Sequence, residues 1–200
     1  MKKIVGIPAR LGSSRFPRKP LCKILNHTMI EHCYYRCKLS NEIDDVFVAI
    51  CDEELRQFCE IKKINYIMTD PQIQRPGLRV SSACEKLNLS ADDIIVVVQG
   101  DEPLVTPNMI NIAIKPLIED NNILVSNLCT EIEEKEKNDP NEIKVVMDNK
   151  MNAIYMSRSS IPSTDHEEIR QKWFKQVCIM PFKWNFLYDF NNNLEKTSLE

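Results

Sequence analysis

The chain has 200 residues, of which 43% are hydrophobic, so it is long enough for one domain with a substantial core. Its net charge of −3 argues against a general nucleic-acid-binding protein. The apolar run before Arg10 is too short for a signal peptide or a membrane span, which predicts a cytoplasmic protein without a membrane partner.

Strand-like and helix-like segments alternate along the first 130 residues. The strands are predicted at Lys3–Pro8, Asp45–Cys51, Tyr66–Met68, Asp93–Gln99 and Ile123–Leu128. The helices are predicted after a capping box formed by Thr28 and Glu31, after the cap residue Asp52, over Arg79–Leu87, and from the pair Thr106-Pro107. This alternation predicts a doubly wound α/β domain.

The segment Asp93–Gln99 decides the type of sheet. Its unbroken β-branched run indicates burial on both faces, which is typical of a mostly parallel sheet. After residue 130 the alternation stops. Short strands at Ile143–Met147, Ala153–Met156 and Lys175–Phe182 follow a solvated charge run. We therefore expect residues 1–200 to form a single domain, with a core over 1–130 and a small antiparallel extension over 131–200.

Charge is distributed unevenly. Residues 1–38 carry nine Lys or Arg against the single acid Glu31, a net charge of +8, which leaves −11 for the remainder. One basic end on an acidic chain indicates a local anionic ligand rather than a long phosphate backbone.

The most basic segment is Ile7–Leu21, IPARLGSSRFPRKPL, which follows the first strand. Its four cations are Arg10, Arg15, Arg18 and Lys19. Backbone N–H groups, hydroxyls and fixed positive charge together suit a polyphosphate. An ordinary solvated basic turn is the alternative.

A second loop, Gln99-Gly100-Asp101-Glu102-Pro103, follows the buried strand. Because ligands of doubly wound sheets bind at the carboxyl ends of strands, both loops are expected at one rim. Mg²⁺ takes one or two carboxylates plus substrate phosphates, which makes Asp101 the best metal-ligand candidate. A simple strand-ending turn is the alternative.

Eight cysteines are scattered through the chain without a CxxC pair. Cys33 and Cys37 lie four residues apart and could in principle share a metal. Their apolar surroundings favour reduced, buried thiols instead.

Three segments in order, 7–21, VVVQGDEPLV (96–105) and DPNEIKVVMDNKMNAIYMSRSSIP (139–162), resemble the motifs of the 3-deoxy-manno-octulosonate (Kdo) cytidylyltransferases, the CMP-Kdo synthetases. The resemblance implies a nucleotide-diphospho-sugar transferase-like fold and a homodimer. It also implies a Mg²⁺-dependent reaction in which CTP and an acidic sugar give a CMP-sugar and pyrophosphate, as a step toward lipopolysaccharide.

The resemblance also assigns roles to residues. The catalytic set is Arg10, Lys19 and Asp101, and Asp101 is the metal ligand. The nucleotide-binding set is Pro8, Ala9, Arg10, Leu11, Ser13, Lys19, Arg79 and Gln99. The sugar-binding set is Arg15, Gln99, Arg158 and Gln176.

The sequence departs from the family pattern in three places. Gln74–Leu78 replaces a segment that helps hold cytosine, and Gln176 and Met180 replace a His and a Tyr near the sugar. A second metal-binding Asp has no counterpart, so the chain is expected to be a fragment or to lack that ligand. A different acidic sugar (amino-Kdo, sialic or pseudaminic acid) and a non-catalytic binder remain alternatives.

Overall fold

The computed structural model describes residues 1–12, 16–162 and 172–193. The predicted site residues Ser13 and Arg15 lie outside these ranges. The chain divides into two compact units, one of residues 1–126 with 178–200 and the other of residues 127–177. The C-terminal residues 178–193 thus fold with the N-terminal part of the chain.

The first unit is built on a five-stranded sheet. Its strands in chain order are β1 (Lys3–Pro8), β4 (Asp45–Ile50), β5 (Tyr66–Met68), β6 (Ile94–Val98) and β11 (Ile179–Lys183). Their spatial order is β11-β6-β1-β4-β5, and every pairing is parallel except β11 with β6. The predicted mostly parallel sheet is confirmed.

Helices connect these strands. They are α1 (Met29–Lys38), α2 (Glu53–Lys62), α3 (Pro76–Cys84), α4 (Pro107–Glu119) and, after β11, α5 (Trp184–Asn192). A two-stranded ribbon of β2 (Lys23–Ile24) and β3 (His27–Thr28) precedes α1. All five residues of β6 are buried, which fits a strand covered on both faces.

One face of the sheet packs closely on α3 because Gly6 has no side chain. A Cβ there would lie 2.5 Å from Val80 Cγ1, inside any real contact distance. Val80 and Ala83 of α3 join Phe47 of β4 in one buried cluster. Small residues thus set the distance between this helix and the sheet.

The start of α1 contains a buried carboxylate. Thr28 and Glu31 form the predicted capping box, which is confirmed. Glu31 is buried, and burial alone would raise its pKa. Hydrogen bonds from Thr28, together with Lys62 at 3.0 Å and His27 at 3.5 Å, instead lower that pKa to about 2.

The second unit is a four-stranded antiparallel sheet. Its strands in chain order are β7 (Leu128–Ile132), β8 (Lys144–Met147), β9 (Ala153–Ser157) and β10 (Trp173–Val177). Their spatial order is β7-β10-β8-β9. The predicted antiparallel strands are confirmed here.

The predicted strand Lys175–Phe182 was wrong as a single element. It divides at Cys178, so that β10 pairs in the second unit and β11 pairs with β6 in the first. The predicted strand Ile123–Leu128 was also wrong, because residues 123–127 make only the bridge of Val125 with Phe182. Pro at the first helical position starts α3 at residue 76, three residues earlier than predicted.

Candidate active site

The candidate site lies at the carboxyl rim of the parallel strands. Strands β1, β4 and β6 end there at Pro8, Ile50 and Val98. The backbone N–H of Ala9 donates to Ala49 O at 3.0 Å, which carries the β1–β4 pairing into the following loop. The two loops singled out in the sequence therefore leave the sheet at one rim, as predicted.

Gly100 brings the two loops into close contact. A Cβ on Gly100 would lie 2.7 Å from the Pro8 carbonyl oxygen and 3.7 Å from Ile7 Cγ2. No glycine in the described residues has a positive φ, so space rather than backbone conformation requires glycine here. Any larger residue would push residues 99–102 away from the end of β1.

Lys19 and Asp101 meet across this rim. Lys19 Nζ lies 2.5 Å from Asp101 Oδ2, although 82 positions separate the two residues. Both side chains keep partial solvent access, at 35% and 47% exposure. An ion pair this exposed stabilises a fold by about 0–1 kcal/mol, so its position at the rim is better explained by function than by stability.

The basic loop is held in place from both sides. Arg18, in the left-handed region at φ 59°, donates its backbone N–H to Leu11 O at 3.0 Å. Its guanidinium pairs with both oxygens of Glu54 at the start of α2, and this pair raises the pKa of Arg18 and lowers that of Glu54. Lys19 is thereby presented from a fixed turn.

Asp52 does not cap α2 with its side chain, contrary to the sequence-based prediction. It occupies the cap position, but its Oδ2 accepts the backbone N–H of Leu11 at 3.0 Å. The basic loop offers this carboxylate a donor 41 positions away. Asp52 thus anchors the loop that carries Arg10.

Arg10 is oriented by a residue that the sequence-based set omitted. Its Nη1 donates to Gln74 Oε1, across 64 positions. Both side chains are exposed, and they lie beside a small cavity. That cavity is lined by Pro8, Ala9, Arg10, Gln74, Pro76 and Arg79.

Arg79 is buried at 2% exposure and shapes the loop before α3. Its Nη1 donates to Thr69 Oγ1 at 2.5 Å and to Asp70 O at 3.4 Å, while Nη2 donates to Ile73 O. Arg79 therefore supports the loop that ends at Gln74. Its predicted contact with a nucleotide stays a prediction.

Gln99 occupies the start of the second loop. Its backbone N–H donates to Cys178 O at 3.3 Å, and its carbonyl accepts from Glu102 N at 3.1 Å. The side chain is half-buried. The backbone bonds fix the turn that carries Asp101.

The predicted sugar-binding residues Arg158 and Gln176 belong to the second unit. Arg158 follows β9 and donates through Nη1 to Pro140 O at 2.9 Å and Asn141 O at 3.0 Å. Gln176 lies on β10, where its backbone N–H donates to Ile143 O at 2.8 Å.

Cys33 and Cys37 are fully buried free thiols of α1, as the sequence predicted. Burial raises the pKa of both, that of Cys33 to about 12, so they stay protonated. Within residues 1–12, 16–162 and 172–193, no three His, Cys, Asp or Glu side chains converge as a metal-binding group.

Nearly the whole chain matches a known family. The family model described as "Cytidylyltransferase" covers residues 4–200. The chain belongs to the cytidylyltransferase family.

Individual cytidylyltransferases are also similar. A protein of Shewanella woodyi named 8-amino-3,8-dideoxy-manno-octulosonate cytidylyltransferase is 42% identical over 159 residues, which are 78% of this chain and 64% of the relative. A 3-deoxy-manno-octulosonate cytidylyltransferase of Solibacter usitatus is 35% identical over 192 residues, 95% of this chain and 75% of the relative. The chain thus spans about two thirds to three quarters of the length of these relatives.

A solved structure extends the comparison. A CMP:2-keto-3-deoxy-manno-octonic acid synthetase complexed with CTP matches with a TM-score of 0.89 and 31% identity, over 98% of this chain and 80% of that one. The resemblance to the CMP-Kdo synthetases is confirmed, and so is the mixed α/β fold with added antiparallel strands.

Proposed function

We propose that this cytidylyltransferase activates a Kdo-type acidic sugar with CTP, giving a CMP-sugar and pyrophosphate. The observation that carries the proposal is the pairing of Lys19 with Asp101 at the shared rim of β1 and β6. A cation for phosphates and a carboxylate for a metal stand side by side there. The names of the relatives and the CTP-bound structure support the same reaction.

The chemistry explains why cations gather at this rim. The anomeric hydroxyl of the sugar attacks the α-phosphorus of CTP, and pyrophosphate leaves. Both reactants are anionic, and two unit charges about 4 Å apart repel by about 4 kcal/mol at an effective dielectric near 20. Lys19 and Arg10 would bind the phosphates and offset this repulsion as charge develops on the leaving group.

The rim also fits Mg²⁺. The partly exposed Asp101 carboxylate offers a hard oxygen ligand beside the expected phosphates. Asp101 is the residue of this chain that would hold the ion. A bound Mg²⁺ would neutralise phosphate charge and stabilise the departing pyrophosphate.

The identity of the sugar is less well determined by these observations than the identity of the nucleotide. Arg158 and Gln176, together with Arg15 and Gln99, form the proposed sugar-binding set. Kdo is the first candidate. Its 8-amino derivative is the second, because the relative at 42% identity carries that name.

The test is pyrophosphate release by the purified chain, with CTP, UTP and ATP each combined with Kdo, 8-amino-Kdo and a sialic acid. The proposal expects release with CTP and one of the first two sugars, and a CMP-sugar of matching mass. Release with none of the combinations would reject it and favour a non-catalytic binder.

The proposed assembly and location are a homodimer in the cytoplasm, without nucleic-acid or membrane partners. Across the described residues, every helix is too short or too polar to cross a bilayer. Light scattering would report the oligomeric state.

A further inference from the structure

Lys144 is a fully buried lysine on β8 in the second unit, at 0% exposure. Its ammonium donates to three backbone carbonyls, Asp139 O at 2.7 Å, Glu142 O at 2.8 Å and Arg158 O at 2.5 Å. An ammonium has three donors, so each N–H has its own acceptor. All three of these acceptors are neutral backbone carbonyls.

Burying the Lys144 ammonium costs free energy, so we ask what its hydrogen bonds to the three carbonyls contribute. A buried ammonium loses its hydration, and a neutral carbonyl returns less than a carboxylate would. A Met of similar length would fill the space without that loss. What Lys144 adds is a link between two segments, the loop 139–142 and the residue that follows β9.

Arg158 reinforces the same link from its other end. Its Nη1 donates to Pro140 O and Asn141 O, at 2.9 Å and 3.0 Å. Its backbone carbonyl is held by Lys144, so both ends of this residue are attached to the loop 139–142. The Nε and Nη2 donors form the opposite edge of the guanidinium, and no described residue accepts a hydrogen bond from them. That edge has the shape that binds a carboxylate through two parallel hydrogen bonds.

We propose that Lys144 is a positioning residue for Arg158, holding the Nε and Nη2 edge of the guanidinium in place for the carboxylate of the acidic sugar. The inference rests on the proposed function, because it takes Arg158 as a sugar contact. It adds a residue that touches neither substrate and yet determines sugar affinity.

The experiment compares four variants by their KM for sugar and for CTP in pyrophosphate release. Lys144→Met removes the three donors and keeps the length of the side chain. Arg158→Met removes the guanidinium itself. Val145→Ala is the matched control, because Val145 is also buried on β8 and its truncation weakens the sheet without touching Arg158. Lys144→Gln keeps two donors and decides the question if Lys144→Met does not fold.

The proposal expects Lys144→Met to raise the sugar KM at least tenfold while the CTP KM changes less than threefold. Arg158→Met should do the same, and Val145→Ala should change neither KM despite a lower melting temperature. Lys144→Gln should fall between Lys144→Met and the wild type.

Four results would overturn the inference. The first is a normal sugar KM in Lys144→Met combined with a raised sugar KM in Arg158→Met, which would reject the positioning role and leave the proposed function intact. If Lys144→Met does not fold, the sugar KM of Lys144→Gln takes its place in this comparison. A normal sugar KM in Arg158→Met would reject the sugar contact itself. Equal effects of Lys144→Met and Val145→Ala would reduce Lys144 to a structural residue. An inactive wild type would reject the proposed function and this inference with it.

Discussion

Substitution of Gly100 by Ala tests whether the two rim loops must touch. The new Cβ would meet the Pro8 carbonyl oxygen at 2.7 Å, whereas ordinary contact begins near 3.4 Å. Because the obstacle is backbone, the loop that carries Asp101 must move by several tenths of an ångström. Forced overpacking of this kind costs about 1–3 kcal/mol, which corresponds to a fall in melting temperature of about 2–12 °C for a chain of this size.

The displacement should affect turnover more than folding. A shift approaching 1 Å in a reacting group can cost about a hundredfold in rate, so we expect Gly100→Ala to lose at least tenfold in pyrophosphate release. Gly77→Ala is the control for melting only, because segment 75–77 is itself predicted to affect CTP binding. Its Cβ would have Asn191 Oδ1 as nearest neighbour at 4.0 Å, and Ala inside α3 should stabilise the chain by up to about 1 kcal/mol. Wild-type melting and turnover in Gly100→Ala would refute the close-contact argument.

Three further predictions concern binding, base selection and pH. Lys19→Ala should weaken CTP binding by about ten- to a hundredfold in calorimetry, because a charge-assisted contact of about 1.5–3 kcal/mol is lost, while unchanged affinity and turnover would make Lys19 a surface residue. Because segment 75–77 departs from the family pattern, we expect the wild-type protein to accept other pyrimidine nucleotides besides CTP or to bind CTP weakly. Strict and tight selection of cytosine in nucleotide competition would count against this. Glu31 has its folded-state pKa near 2, below its ordinary value of 4.5, so its contribution of about 3 kcal/mol is complete above pH 4.5 and disappears as the pH falls toward 2. Urea titrations of Glu31→Gln should show a flatter dependence of unfolding free energy on pH between 5 and 2, and a dependence equal to that of the wild type would assign the acid sensitivity elsewhere.

Local sequence patterns predicted the parts of the fold that local forces determine. The capping box of Thr28 and Glu31 acts within one helical turn, and the apolar run of β6 needs only burial to form a central strand. The rim position of Lys19 and Asp101 followed from a general rule about parallel strands rather than from any contact visible in the sequence.

Features that depend on distant partners were not predictable in this way. Aspartate is a residue type that often caps helices, but the carboxylate of Asp52 accepts the backbone N–H of Leu11 instead. Gln74 gave no signal, since its partner Arg10 lies 64 positions away. Nothing in the periodicity of residues 175–182 marks Cys178 as the point where one strand ends and β11 begins beside β6.

The most direct test of the central claim is pyrophosphate release from CTP and Kdo-type sugars by Asp101→Asn, measured beside thermal melting of the same protein. The substitution keeps the shape of the side chain but removes the charge that would hold Mg²⁺. Asp101 lies in a partly exposed turn at the rim, so we expect the melting temperature to stay within a few degrees of the wild type, and Mg²⁺-dependent release to be lost. An active Asp101→Asn would contradict the metal role, and an unfolded one would show that Asp101 serves the turn instead.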